Sequence, residues 1–281
     1  MRISALLLAL SWSLGAQNVN VDNLMQEVAS HQDQAEHLRE QYTYTQKVRI
    51  RAIYSNAKLS REEYCIYQVV PRESSTQKEL KQFEGRYGDK GKLVEYKKPG
   101  EANPNRKIDI DAGLLPGLRE DLIDDKESKD GLAKDLFPLR SDVIEKYDFT
   151  ITGEENFHGR AAYRIRFTPK KEWRGWDDDQ TNWAGEAVID KQDQQALWIT
   201  TRLAKGIPLL VRTMLGTNLH QLGFTVSYTR LDSGVYFPST YGGEFDVKAV
   251  FFYKRTFTVS LENSEFRRAH ADSTISYGLP K

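Results

Sequence analysis

The residues best suited to chemistry fall in a few conspicuous places. Trp173, Trp176 and Trp183 flank a charged loop. Tryptophans on a loop can stack on sugar rings or sit at a membrane surface, and they can equally fold over a sheet edge as a local core. Asp177, Asp178 and Asp179 are consecutive, whereas a calcium loop spaces its oxygen ligands at alternate positions around a glycine, so this triplet reads as a solvated loop. His31, His37, His158, His220 and His270 are scattered, and no two have the i,i+4 spacing that puts both imidazoles on one helix face. There is no Gly-x-Ser-x-Gly elbow. A glycosidase would need two acids brought together from distant positions, and among 40 acidic residues the sequence singles out none. Cys65 is the only cysteine. It sits in an apolar run, where a thiol packs and does not react, because reactive thiols need a basic and accessible setting. The expectation is a protein without catalytic residues, metal ligands or cofactor: not an enzyme.

Charge and compartment narrow the classes further. Lys plus Arg and Asp plus Glu each total 40, so the net charge is zero. Nucleic-acid binding depends on a basic excess that displaces counterions, and none exists. Residues 1–16 read as a signal peptide: Arg2 supplies the positive start, Ile3 to Leu14 the apolar core, and Ser13, Gly15 and Ala16 the small residues for cleavage. The apolar run is shorter than the ~20 residues that span a bilayer, and no other segment qualifies as transmembrane. A single cysteine allows no internal disulfide, and Asn-x-Ser/Thr is absent; both suit a bacterial periplasm, or an extracellular location. The expected domain layout is this leader and one β-rich domain over residues 17–281.

The elements follow from periodicity. Val21 to Gln41 is helical, with Leu24, Val28, Ala35 and Leu38 on one face and Asp22 as the N-cap. From Tyr42 the period becomes two: Tyr42, Tyr44, Val48, Ile50, Ala52 and Tyr54 point one way, interrupted by Gln46, and Thr43, Thr45, Lys47, Arg49 and Arg51 the other. Glu62 to Val70 is a second strand ended by Pro71. Residues 72–141, charged and broken by Gly and Pro, read as a helix-bearing insertion or lid, with a short strand at Lys92 to Tyr96 and one or two helices between Gly117 and Phe137. The rest is strands. Phe149 to Thr152 precedes a Gly153–Gly159 turn. Tyr163, Ile165 and Phe167 alternate with Arg160, Arg164 and Arg166, a basic face that reads as the wet side of the sheet. Trp183 to Ile189, Leu197 to Leu203, Phe224 to Tyr228, Phe245 to Tyr253 and Phe257 to Leu261 follow. Hairpin-length gaps predict an antiparallel meander.

Such a meander must close into a barrel, pair with a second sheet, or curl around helices. So few helices cannot fill the concave side of a wide sheet, which predicts an aromatic-lined hollow suited to an apolar ligand. Its expected lining is Tyr44, Val48, Ile50, Tyr163, Ile165, Phe167, Trp183, Ile189, Phe224, Val226 and Phe251. The apolar stretch Gly206 to Gly216 reads as a flap at its mouth, a membrane- or partner-facing patch, or a buried connection.

Tyr42-Thr-Tyr-Thr-Gln-Lys-Val, Gly159-Arg-Ala-Ala-Tyr-Arg-Ile-Arg-Phe-Thr-Pro-Lys and Gly185-Glu-Ala-Val-Ile-Asp190 followed by Leu197-Trp-Ile-Thr-Thr-Arg-Leu resemble the periplasmic lipoprotein-carrier superfamily, the outer-membrane lipoprotein-sorting proteins. The resemblance covers the N-terminal helix, the first strand and residues 145–262; the 72–141 stretch departs from it. It implies a mainly β fold, a curved, incomplete antiparallel barrel lidded by helices, that holds an acyl chain or a lipidated protein. The expected function is a soluble exported carrier or sensor. The alternative is an exported enzyme or binding module acting on envelope glycans through the 173–183 loop. An outer-membrane barrel ranks last, since it would turn its apolar faces outward between aromatic girdles.

Overall fold

The computed structural model describes residues 19–71, 76–123, 137–171, 183–204, 218–220, 222–249 and 253–269. The leader segment, Trp173, Trp176, the Asp177–Asp179 triplet, the Gly206–Gly216 stretch and Phe251 lie outside these residues.

Helix α1 spans Val21–Arg39. Its N-cap is Asn20, not Asp22: the Asn20 side-chain oxygen accepts the Asp22 and Asn23 amides at 3.0 and 3.1 Å, satisfying donors that no helical carbonyl can reach. The buried stripe is also rotated from the expected one. Leu24, Val28 and Ala35 are joined by Met25, Ala29, Gln32 and Arg39, while Leu38 is exposed. Arg39 is drawn in because its guanidinium donates to the Tyr236 carbonyl at 3.2 Å.

Strand β1 (Tyr42–Ile53) buries alternate residues as the pattern requires, and β2 (Leu59–Pro71) does so from Glu63 to Val69, after a run in which Ser60, Arg61, Glu62 and Glu63 are all buried. The region expected as an insertion instead continues the sheet with β3 (Thr76–Asp89) and β4 (Lys92–Tyr96). β3 shows no apolar alternation because it lies near the sheet margin, where Phe83, Gly85 and Tyr87 face inward among many charges. Helix α2 runs Ile110–Ile123, starting before the expected Gly117 and carrying Pro116 in its second turn. A proline there removes a helical hydrogen bond, and the burial of Leu115, Leu118, Leu122 and Ile123 offsets that loss.

β5 (Tyr147–Phe157) and β6 (Arg160–Pro169) extend past the expected Gly153 turn. The true turn is His158-Gly159, both at positive φ (51° and 88°), a geometry that glycine adopts freely. Then come β7 (Trp183–Asp190), β8 (Ala196–Leu203), β9 (Asn218–His220), β10 (Gly223–Arg230), β11 (Tyr236–Ala249) and β12 (Tyr253–Arg268). The run read as one strand from Phe245 to Tyr253 is a hairpin, with Ala249 paired to Tyr253. A bulge opposite Val188/Ile189 turns Leu197 away from Ile199 and into a small outer cluster with Ala162, Val188 and Tyr236.

The strands form one antiparallel sheet ordered β4-β3-β2-β1-β12-β11-β10-β8-β7-β6-β5, with β9 paired to β11. β1 bonds both β2 and β12, so this ladder joins the N-terminal hairpins to the C-terminal meander. β4 and β5 close nothing: the sheet is curved and open. One face carries the core. The other is wet and laced with cross-strand ion pairs, including Arg164–Glu155, Arg164–Glu186 and Arg166–Glu186. α1 makes its main sheet contacts with β11 and β5, and α2 with β1 and β2.

Candidate functional site

Strand register lines up the inner face in rows. One row runs from Ile151 on β5 through Ile165, Ala187, Ile199, Val226 and Tyr241 to Leu261, Val48, Cys65 and Phe83. Each residue pairs directly with the next, so an apolar band crosses almost the full sheet. Cys65 belongs to it as packing, a buried free thiol whose pKa burial pushes up.

The neighbouring row contains Phe167, Gly185, Thr201, Phe224, Gly243 and Val259. Here rings lie flat over glycines. A Cβ on Gly185 would stand 2.8 Å from the Phe167 ring and 1.9 Å from the Thr200 carbonyl, and one on Gly243 would stand 2.5 Å from the Phe224 ring. The Phe224 ring stacks on Tyr241 at 5.6 Å and meets Trp183 edge-on at 5.6 Å; Phe137 meets Tyr241 edge-on at 5.9 Å. Aromatic contacts of this geometry each add about 0.5–1.5 kcal/mol beyond area burial.

The residues expected to line the hollow come together here. Tyr44, Val48, Ile50, Ile165, Phe167, Trp183, Ile189, Phe224 and Val226 are all buried in one contiguous cluster, and Tyr163 packs half-buried against it. They pack against one another and against residues of α1 and α2 in the same cluster, so along them the expected hollow is filled by side chains. The burial of Trp183 (1% exposed) removes it from any sugar-stacking platform.

α1 touches β11 and the edge strand β5, which stand five positions apart in the sheet. β10, β8, β7 and β6 arch over the helix between those two supports. Trp183, Phe167, Phe224 and Ile199 project from the arch into the core.

Besides Thr201, the side chains of Gln46, Asn263 and Tyr241 bring polar groups into the apolar wall. Gln46, wholly buried, donates from Nε2 to the Asn263 Oδ1 at 3.1 Å, and Asn263 Nδ2 donates to the Pro238 carbonyl at 2.8 Å. The Pro238 oxygen can only accept, which fixes the Asn263 amide and, through it, the Gln46 amide. Among the described residues, Gln46 Oε1 is left buried without a hydrogen-bond partner, as is the Tyr241 hydroxyl. Burial holds the Tyr241 phenol far above its usual pKa, so it remains a protonated donor.

At the foot of α2 lies a charged cluster that no sequence pattern announced. Asp111, in the first helical turn, accepts from Tyr253 Oη at 2.6 Å, from Ser60 Oγ, and from Arg255 Nε at 3.3 Å, with Arg106 at 3.5 Å. Asp109 accepts from Arg61 at 2.6 Å, the Asn103 amide at 2.9 Å and Arg106 at 3.3 Å. Burial opposes ionisation of Asp109, but the Asn103 amide and the Arg61 guanidinium outweigh it and hold the carboxyl below its usual range. The Arg61 guanidinium lies against the Tyr96 and Tyr87 rings at 4.6 and 5.3 Å, and those two rings stack on each other at 5.7 Å. Further along the helix, Arg119 donates to Glu63 at 2.9 Å. These contacts strap α2 and the loop before it to β2, β4 and β12.

No protein-family model matches the sequence, and no curated protein matches it either. Solved structures similar to it include a putative outer membrane lipoprotein-sorting protein domain from Vibrio parahaemolyticus, at 10% identity and TM-score 0.38, covering 90% of this chain and 95% of that one. A DUF1329 family protein from Desulfovibrio piger is similar at 13% identity and TM-score 0.38, covering 92% and 96%. Lipovitellin is similar at 10% identity and TM-score 0.34, covering 83% of this chain and 26% of that one.

Among the described residues, no group of three or more His, Cys, Asp or Glu side chains could hold a metal ion, and no helix is long and apolar enough to cross a membrane.

Proposed function

We propose that this protein is an exported, non-enzymatic carrier or sensor that takes an apolar ligand, an acyl chain or a lipidated partner, between its helices and the concave wall of the sheet. The observation that carries the reading is the arch: α1 is supported at β11 and β5, and the strands between them present a wall of apolar and aromatic side chains toward it. The wall is already buried against the helices and itself, so an acyl chain would take the place of helix contacts, each side regaining ~25 cal/mol per Å² of apolar area it covers. The polar strap on α2 gives the cover a defined closed position.

The test is direct. Mature protein purified without detergent is extracted with organic solvent and analysed by mass spectrometry, and delipidated protein is titrated with a hydrophobic dye. Co-purified lipid and saturable dye binding that added fatty acid displaces are expected. Clean extracts together with no dye binding would end the reading.

A further inference from the structure

Gln46 and Tyr241 interrupt the apolar rows of the inner wall. Both are closed to solvent, Gln46 at 0% and Tyr241 at 2% exposure, and each leaves a polar atom with no partner among the described residues. An unsatisfied buried donor or acceptor costs about 1–3 kcal/mol. Phenylalanine and leucine would fill the same volumes without that cost, and folded proteins leave few such atoms. Ten such atoms occur among the described residues, and these two stand in the apolar rows of the wall.

Their chemistry is complementary. Tyr241 is a donor whose proton stays on the phenol. Gln46 Oε1 is an acceptor, its orientation set by the relay through Asn263 to the Pro238 carbonyl. Register places them close. Tyr241 pairs with Leu261, Leu261 with Val48, and Gln46 is the next inward residue along β1. Two strand spacings and one two-residue step put their backbones about 12 Å apart, so the two inward side chains can flank a single ligand group. A group that accepts on one side and donates on the other, within an apolar chain, is a secondary amide. An ester offers only acceptors.

Resting on the carrier reading, we propose that the ligand is an acyl chain joined through an amide, whose carbonyl takes the Tyr241 hydroxyl proton and whose N–H is taken by Gln46 Oε1. The aromatic bed of Phe224 and Phe137 beside Tyr241 then holds the adjoining methylenes. Gln46 sets the preference for amide over ester, and Tyr241 sets affinity for the carbonyl.

The experiment displaces a bound hydrophobic dye from the full chain with N-methylpalmitamide or methyl palmitate, two probes that differ by N–H against O. Wild-type protein should prefer the amide by about five- to tenfold, the worth of one buried hydrogen bond. Gln46→Leu should bring the ratio to about one. Tyr241→Phe should weaken both probes to a similar extent, and its Tm should not fall, since the hydroxyl it removes has no partner among the described residues. Equal wild-type affinity for the two probes, with the dye still displaced, overturns the amide assignment and leaves the carrier standing. Failure of the dye and both probes to bind removes the carrier and the assignment with it.

Discussion

Arg61 Nη2 and Asp109 Oδ2 meet at 2.6 Å with their side chains 0% and 2% exposed, an ion pair sealed between the sheet and the loop that leads into α2. Removing one partner of such a pair strands the other charge in a low-dielectric site and typically costs about 3–5 kcal/mol, whereas replacing both with apolar groups of similar volume is far milder. Asp109→Ala should therefore lower unfolding stability in urea by about that amount, and Arg61→Met combined with Asp109→Leu should lose less than either change alone. If the double variant is as unstable as the sum of the singles, the pair is not coupled and the cluster is not a strap.

Acid should loosen the same place. The folded-state pKa of Asp109 lies below the ordinary value, as does that of Asp190, which burial opposes but which the Arg160 guanidinium and the amides of Asp193 and Gln192 depress. A depressed carboxyl contributes stability that is fully present above its unfolded pKa, ~3.9, and is lost as pH falls through the lower folded value. Tm measured from pH 6 to pH 2 should stay flat to about pH 4 and then drop. Asp109→Asn, already less stable at neutral pH, should show a shallower drop. An identical slope in wild type and variant would show that Asp109 carries no part of the acid sensitivity.

The sheet was legible where one face is buried and the other wet. β1 alternates through Tyr44, Val48 and Ile50 against Thr45, Lys47 and Arg49, because burial acts on every second residue. The same rule failed at the margins. β3 turns little more than Phe83, Gly85 and Tyr87 inward, and the second half of β5, Gly153 to Phe157, borders solvent at the sheet edge, so neither needs an apolar face. Of the residues expected to line a hollow, the described ones share one cluster and pack there as core. The two covering helices were legible as well, α1 over nearly its whole length and α2 from Gly117 onward; what could not be read was how α2 is fastened and which polar side chains interrupt the wall. Gln46 looked like an interruption in a pattern, and the partners that orient it, Asn263 and Pro238, are distant in sequence. The strap on α2 depends on charges gathered from separate segments, at Arg61, Asp109, Asp111 and Arg255, and no local spacing encodes that meeting.

Gly185 is a sharp test of how the wall is laid down. A methyl group there would stand 1.9 Å from the Thr200 carbonyl oxygen and 2.8 Å from the Phe167 ring. Gly185→Ala cannot be absorbed by a rotamer change, because the obstructing carbonyl is main chain. Overpacking of this kind costs about 1–3 kcal/mol or more. The variant should melt several degrees lower and bind the dye more weakly, since β7 and β8 must move apart beside Trp183. A variant with wild-type Tm would mean that the two strands separate freely there.

The strap at Asp111 determines whether α2 is a gate or only a support. Asn at 111 preserves size but weakens the charge-assisted contacts to Arg106 and Arg255 and the bond from Tyr253, interactions worth about 1.5–3 kcal/mol to a charged acceptor. If ligand enters by lifting α2 away from β1 and β2, that loss raises the open population about ten- to hundredfold. Stopped-flow dye uptake by Asp111→Asn should accelerate correspondingly, with the equilibrium affinity little changed because the wall itself is intact. Arg119→Gln, which cuts the Glu63 contact farther along the same helix, should accelerate uptake in the same direction. Unaltered uptake rates in both variants alongside a lowered Tm would mean that α2 stays closed while ligand enters elsewhere, leaving the α1 side of the arch, between β11 and β5, as the route.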